Sequence, residues 1–202
     1  MKQFCPEIVV TEELHNNKEV VNVFLDRKLE KAEQIDENGK SFGVFMHSLI
    51  LSNYTEITIT NGNSIEFTGN ENEKAIALFT LNKGFDKNLI DDLAPKVSEL
   101  QIASDPELKP SVHSINEKYR VVAKGSPVDM MQRCTYVIID SRVIKLTRKL
   151  TREINKAFWT MVAKGLMVYA LAIKDLTDFR QKNLDEAASD MTFVALVGIG
   201  KT

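Results

Sequence analysis

The residues able to do chemistry in this 202-residue chain fall in three places. One is the final run Val197-Gly198-Ile199-Gly200-Lys201-Thr202, which has the form of the back half of a phosphate-binding loop. Such a loop follows a strand, turns on Gly-x-x-x-x-Gly-Lys-Ser/Thr, and opens a helix whose N–H groups hold the phosphates. The first glycine would fall at residue 195, which is Ala195, and the chain stops at Thr202 before any helix. Met191 to Val197 is apolar, so this segment is expected to be a buried strand cut at a boundary, not a phosphate loop.

The second place is Lys124-Gly125, closing the strand-like run "YRVVAKG". A cation at a strand end can meet a phosphate, and a glycine beside it removes a side chain that would block close approach. A surface lysine before a turn would look the same. The third is Glu73, three residues after Asn70, a spacing that resembles a capping box at a helix start. An acid there also stabilises the helix dipole without any ligand.

Little else offers a reaction. Cys5 and Cys134 are far apart and form no CxxC pair, which fits a reduced, cytosolic compartment. Cys134 is expected to be a small buried group and Arg133 structural. His15, His47 and His113 stand singly, without zinc spacing. No paired nucleophile and base, metal cluster or complete glycine loop supports an independent enzyme.

Composition sets the class. Apolar residues make up 44%, charged residues 27%, and the net charge is -2, as in an ordinary globular chain with a sizeable core. The near-neutral balance argues against a nucleic-acid or membrane-surface binder, which would show a basic face. Apolar runs such as Leu166 to Ile173 are too short to span a bilayer. Glu7, Glu12 and Glu13 break any secretory signal.

The elements that must position these residues follow from periodicity. Lys18 to Asp26 has strand character, and the polar stretch after it ends in a turn at Asn38-Gly39. "FGVFMHSLILSN" reads as a buried helix through Phe42, Phe45, Leu49 and Ile50. Ile57 and Ile59, the pair Asn61-Gly62, then Ile65 and Phe67 spell a hairpin. A helix follows from Asn70, stopped by Gly84. Residues 97–122, broken by Pro106 and Pro110, predict strands and loops. Pro127 suits the first turn of a short helix, Val128 to Cys134. "TYVIID-SRVIKL" is a second hairpin. Thr147 to Lys164 is the clearest helix, with Leu150, Ile154, Ala157, Phe158, Met161 and Val162 on one face and Gly165 as its stop. Phe158 and Trp159 are expected in its core stripe. "LMVYALAI" is a buried strand, residues 176–190 are polar and helical, and a final strand follows. The fold class is α+β, a largely antiparallel twisted sheet with helices packed on it.

Three stretches resemble one family, in the same order and at similar separations. "KGSPVDMMQRCTYV" (124–137) is similar to the "KGAPE…RC" segment of calcium-pump-like, cation-transporting P-type ATPases. "GNENEKAIAL" (69–78) is similar to "GDPTEKALL", and "KGLMVYALAIKD" with "DMTFVALVGI" to "GLRVLALAYK…DLTFVGLVGI". The likeness covers most of Gly69 to Ile199, and residues 1–40 match poorly. It implies that residues 1–202 are a single cytoplasmic nucleotide-binding domain cut from an integral membrane pump. Such a domain presents ATP, with Mg2+, to an aspartate in a "DKTGT" motif that this chain lacks. Its implied partners are ATP and the pump's phosphorylation and actuator domains, with no nucleic acid and no direct membrane contact. The fragment alone is expected to be non-catalytic, and the transported ion is not written in it.

By the same resemblance Lys124, Gly125, Ser126 and Glu73 form the nucleotide-binding set, with Glu73 accepting the adenine amino group. Departures weaken that set. Ser104, in "SDPELK", stands where the family has its adenine-stacking aromatic in "FDSERK". Met167 stands where "GLRVLAL" has an arginine near the phosphates, and Val128 replaces the glutamate of "KGAPE". Stacking is worth roughly 1–3 kcal/mol, and a charged hydrogen bond about 1.5–3 kcal/mol. Losing both costs roughly two to four decades of affinity, so the chain alone is expected to bind ATP poorly unless a nearby aromatic such as Tyr119 substitutes. The alternative function is a degenerate domain of the same fold, with a structural or regulatory interaction role.

Overall fold

The computed structural model describes residues 18–60, 64–102, 108–179 and 184–201. In chain order its elements are β1 (Glu19–Leu25), β2 (Lys28–Lys31), α1 (Phe42–Leu51), β3 (Glu56–Thr60), β4 (Ser64–Thr68), α2 (Glu71–Asn82), α3 (Lys87–Leu93), β5 (Lys96–Glu99) and β6 (Ser111–Ile115). There follow β7 (Lys118–Gly125), α4 (Pro127–Arg133), β8 (Cys134–Ile139), β9 (Arg142–Lys145), α5 (Arg148–Ala163), β10 (Met167–Leu176), α6 (Leu184–Ala187) and β11 (Met191–Gly200).

Nine of the described strands form one sheet in the order β2-β1-β11-β10-β7-β6-β5, with β8 and β9 joined beside β11. β11 organises it. Its second half pairs antiparallel with β1, its first residues pair parallel with β8, and its length pairs antiparallel with β10. That is the largely antiparallel α+β sheet expected from the mixture of hairpins and helices. Every residue of β11 except Gly200 is buried, as a strand covered on both faces requires.

Two-residue turns set the registers. Asp26–Arg27, Asn116–Glu117 and Asp140–Ser141 all have positive φ at both positions, between 48° and 66°. Each joins antiparallel neighbours, and this turn form matches the right-handed twist of the flanking strands. Asp or Asn opens each turn because a short polar side chain tolerates the left-handed region. Two turns are tied together: Asp26 Oδ1 accepts from the Asp140 N–H at 2.8 Å and from the Ser41 hydroxyl at 2.6 Å. The Asn61-Gly62 turn lies outside the described residues.

Helices cover both faces. α4 and α5 pack Met130, Leu150, Ile154 and Met161 against Val121, Ala123, Ala170, Ala172 and Phe193. α1 and α2 pack Phe45, Met46, Leu49 and Ile76 against Val122, Leu171, Ile173, Val194 and Val197 on the other side. Strand alternation thus sends neighbouring residues of β7 into different cores. Thr147 caps α5, its side chain accepting the Leu150 N–H, and Gly165 follows at φ +76°.

Some expectations need correction. Trp159 is not core: it is 62% exposed, and its ring lies 4.9 Å from that of Phe158 in a tilted arrangement. At 100° per residue, position 159 falls with Arg148 and Arg152, opposite the buried stripe. The polar stretch after Asp26 contains β2, whose half-exposed edge gives no apolar alternation. The helix α3 within "KNLIDDL" has no buried residue to mark it, and is started by Asp86, whose side chain accepts from the Asn88 and Leu89 N–H groups. Residues 174–176 belong to β10, and the helix described in the following polar segment is only Leu184–Ala187.

Candidate functional site

β7 is held between β6 and β10, with Lys124 opposite Leu171 and Val122 opposite Ser111. Lys124 shares the face of Val122, beneath α2. α2 starts at Asn70, whose side-chain oxygen accepts the Glu73 N–H at 3.0 Å. This is one half of the expected capping box. The other half is not made, because the Glu73 carboxylate turns inward. Its Oε1 accepts from Lys124 Nζ at 2.5 Å, and its Oε2 from the Tyr54 N–H at 3.1 Å.

The loop after α1 is stitched to the same helix turn. Asn53 Nδ2 donates to the Glu73 carbonyl at 2.8 Å, while Asn53 Oδ1 accepts the Thr55 N–H at 2.7 Å. Tyr54 is 48% exposed, and its hydroxyl donates to the Lys109 carbonyl at 2.6 Å. On the other side, Asn72 Nδ2 donates to the Tyr169 hydroxyl at 3.0 Å and Asn72 Oδ1 accepts from Lys18 Nζ at 3.1 Å. The Lys124 ammonium lies 5.9 Å from the Tyr54 ring centre and 5.7 Å from that of Tyr169, within cation–π range of both.

Electrostatics follow from this enclosure. Burial pushes the Lys124 ammonium below the ordinary lysine range, and the Glu73 carboxylate works against that shift. Burial, with the Glu99 and Glu73 charges, pushes the Tyr54 phenol up to about 12. Tyr54 is therefore a neutral donor, with about half of its surface open to solvent. A cleft of about 590 Å³ lies beside it, lined by Asn53, Tyr54, Thr55, Lys87, Ser111 and His113 among others. Thr55 Oγ1, which is buried, has no hydrogen-bond partner among the described residues.

The sequence-expected residues are only partly gathered. Lys124 and Glu73 meet. Gly125 pairs with Ala170, and a Cβ there would come within 3.0 Å of Leu108 and 3.4 Å of Met130, in the core away from Lys124. Packing therefore gives a sufficient reason for glycine. Ser126 is exposed ahead of α4, its carbonyl accepting the Met130 N–H, its hydroxyl making no capping bond. Met167, 54% exposed, starts β10 four residues before Leu171. Ser104 lies outside the described residues; Ile102 and Leu108 on either side of it are buried in the α5-side core. Tyr119 cannot substitute for the missing aromatic: it packs against Phe179 and the α5-side core, on the opposite face from Lys124.

The aromatic rings that do reach Lys124 were not expected from sequence. Tyr169 carried a signal, since it sits two residues from Leu171 on the face that Lys124 occupies. Tyr54 carried none, because it lies in a loop placed only by its bonds to Glu73 and Lys109.

A family model described as "P-type ATPase, cytoplasmic domain N" matches residues 42–201, spanning α1 to the end of β11. The chain belongs to this family. The N domain is 22% identical over 184 residues to "Calcium-transporting ATPase 1" of Bacillus cereus, covering 91% of this chain and 20% of that protein. It is 25% identical over 155 residues to "Calcium-transporting ATPase lmo0841" of Listeria monocytogenes, covering 76% and 17%. A third relative, "Calcium-transporting ATPase 1" of Lactococcus lactis, is 20% identical over 181 residues, covering 90% and 20%. The N domain thus spans about a fifth of the length of the curated relatives it matches. Among its described residues no helix is long and apolar enough to cross a membrane.

Proposed function

We propose that this N domain binds ATP for a cation-transporting pump and presents it to a phosphorylatable aspartate carried by another domain. The observation that supports this reading is the convergence on one spot of Lys124, Glu73 and the rings of Tyr54 and Tyr169. A carboxylate can accept an exocyclic amino group of a purine, a ring can cover its face, and an ammonium in contact with that carboxylate can donate to a ring nitrogen of the base. Tyr54 offers the more exposed ring. Ser126, exposed ahead of α4, is a further candidate contact, whereas Gly125 faces the α5-side core and Met167 brings no charge.

Magnesium enters with the nucleotide. On this reading the ion travels on the phosphates of ATP, and its protein ligands belong to the parent pump. The phosphorylation and actuator domains of that pump are the proposed partners, and its cytoplasmic side the proposed location. Calcium, named in all three relatives, is the proposed cargo.

A second reading has a specific observation in its favour. Lys124 and Glu73 satisfy each other in a closed pair, and Met167 removes a cation, as in a domain that keeps the fold and serves inter-domain contact alone. Calorimetry separates the two. ATP binding by the wild-type chain, lost in both Lys124→Ala and Glu73→Gln while circular dichroism shows each variant folded, supports the first. No heat with ATP up to about 5 mM, a concentration at which even a weak site would fill, supports the second.

A further inference from the structure

The net charge of -2 conceals a strongly basic surface. Between Arg142 and Lys156 the chain carries six cations, Arg142, Lys145, Arg148, Lys149, Arg152 and Lys156, and one carboxylate, Glu153. Glu153 is already engaged by Arg27 through two hydrogen bonds of 2.8 Å. None of the six forms an ion pair among the described residues, and all six are exposed. Arg148 and Arg152 share the outer stripe of α5 with Trp159. Two residues separate this helix from β9.

β9 is itself unusual. All four of its residues are exposed, Val143 and Ile144 included, and among the described residues it pairs with β8 alone. Among the described residues its far side is therefore an open sheet edge, with peptide groups spaced to receive another strand. The cations guard that edge against a second copy of itself, since like charges would face each other. They complement an acidic strand.

We infer that β9 and the adjoining outer stripe of α5 dock an extended acidic polypeptide segment of a partner protein. The segment adds to β9 as a strand: on the face that Arg142 shares with Ile144, which is also the face of α5, its carboxylates lie over Arg142 and toward Arg148 and Arg152, and on the other face its apolar side chains cover Val143. An edge with free N–H and C=O groups selects a polypeptide over an anionic lipid surface, which offers no complementary backbone.

The test uses the whole chain and a short capped peptide alternating Glu and Val. Amide resonances of Arg142–Lys145 are expected to shift and exchange more slowly, with a change in the emission of Trp159, the sole tryptophan. The Lys/Val counterpart leaves both unchanged. Reversing two contacting charges, in Arg148→Glu with Arg152→Glu, weakens binding about tenfold. If that variant misfolds by circular dichroism, Arg148→Gln with Arg152→Gln gives the same direction. An N-methylated acidic peptide, which keeps its charge and loses its strand hydrogen bonds, does not bind. The inference is overturned if the acidic peptide leaves Arg142–Lys145 unmoved, or if the N-methylated form binds equally well. Phosphatidylserine vesicles engaging these residues while the peptide does not would likewise overturn it.

Discussion

Lys124 Nζ meets Glu73 Oε1 at 2.5 Å across 51 residues of chain, with the two side chains only 5% and 11% exposed. A buried pair of this kind is weak evidence for net stability, but removing one partner strands the other charge. Lys124→Met is therefore expected to destabilise the domain by about 3–5 kcal/mol in urea unfolding. Lys124→Met with Glu73→Leu should recover much of that loss, leaving chiefly the orphaned Tyr54 N–H. A double variant as unstable as the sum of the two singles would mean that the pair is not coupled.

Acid should weaken the fold, chiefly through the buried His113 imidazole. His113 is enclosed between the Ala94 carbonyl and the Ser111 hydroxyl, each at 2.8 Å, and burial lowers its pKa from the ordinary 6.5. His47, exposed on α1, is lowered by partial desolvation, with Arg120 adding repulsion. The unfolded chain then binds more protons than the native one below about pH 6.5, so stability is full above that value and falls as pH drops toward the native pKa values. The urea midpoint should decline across that interval, and His113→Gln should flatten the decline while lowering the midpoint at neutral pH. A midpoint that rises on acidification would contradict the assignment.

The glycines of the terminal "GIGKT" are packing residues on β11. A Cβ at Gly198 would meet Leu166 at 3.0 Å and Met161 Sδ at 3.1 Å. Gly198→Ala is expected to lower stability by about 1–3 kcal/mol, as overpacking does, without changing ATP affinity. A thermal melt with a parallel ATP titration distinguishes this from a phosphate loop, where affinity would collapse first.

Cys134 should be inert in the native state. It is buried at the start of β8, and burial pushes its thiol up to about 12. In a Cys5→Ser background, a thiol reagent should label Cys134 only as denaturant opens the domain. Labelling at the rate of a free thiol under native conditions would show that the β8 end opens readily.

Much of this architecture was legible because local signals agreed with the fold. Thr147 and Gly165 marked both ends of α5, Pro127 marked α4, and the apolar runs of β10 and β11 marked strands covered on both faces. Where those signals were absent, reading failed. β2 and α3 bury too little to show periodicity. Trp159 looked like core because aromatic residues usually are, although its angular position places it on the charged stripe. In the site, Lys124 and Glu73 were readable from motif likeness, but their mutual contact depends on where the first turn of α2 sits relative to the end of β7. Tyr54 reaches them only through tertiary hydrogen bonds.

In the proposed function a purine nucleotide meets Lys124 and Glu73 beside the rings of Tyr54 and Tyr169. Backbone amide mapping with ATP tests it most directly. Shifts concentrated at Tyr54, Glu73, Lys124 and Tyr169, and abolished in Lys124→Ala, are predicted. Unmoved amides at about 5 mM ATP, or shifts gathered at a different surface, would contradict it.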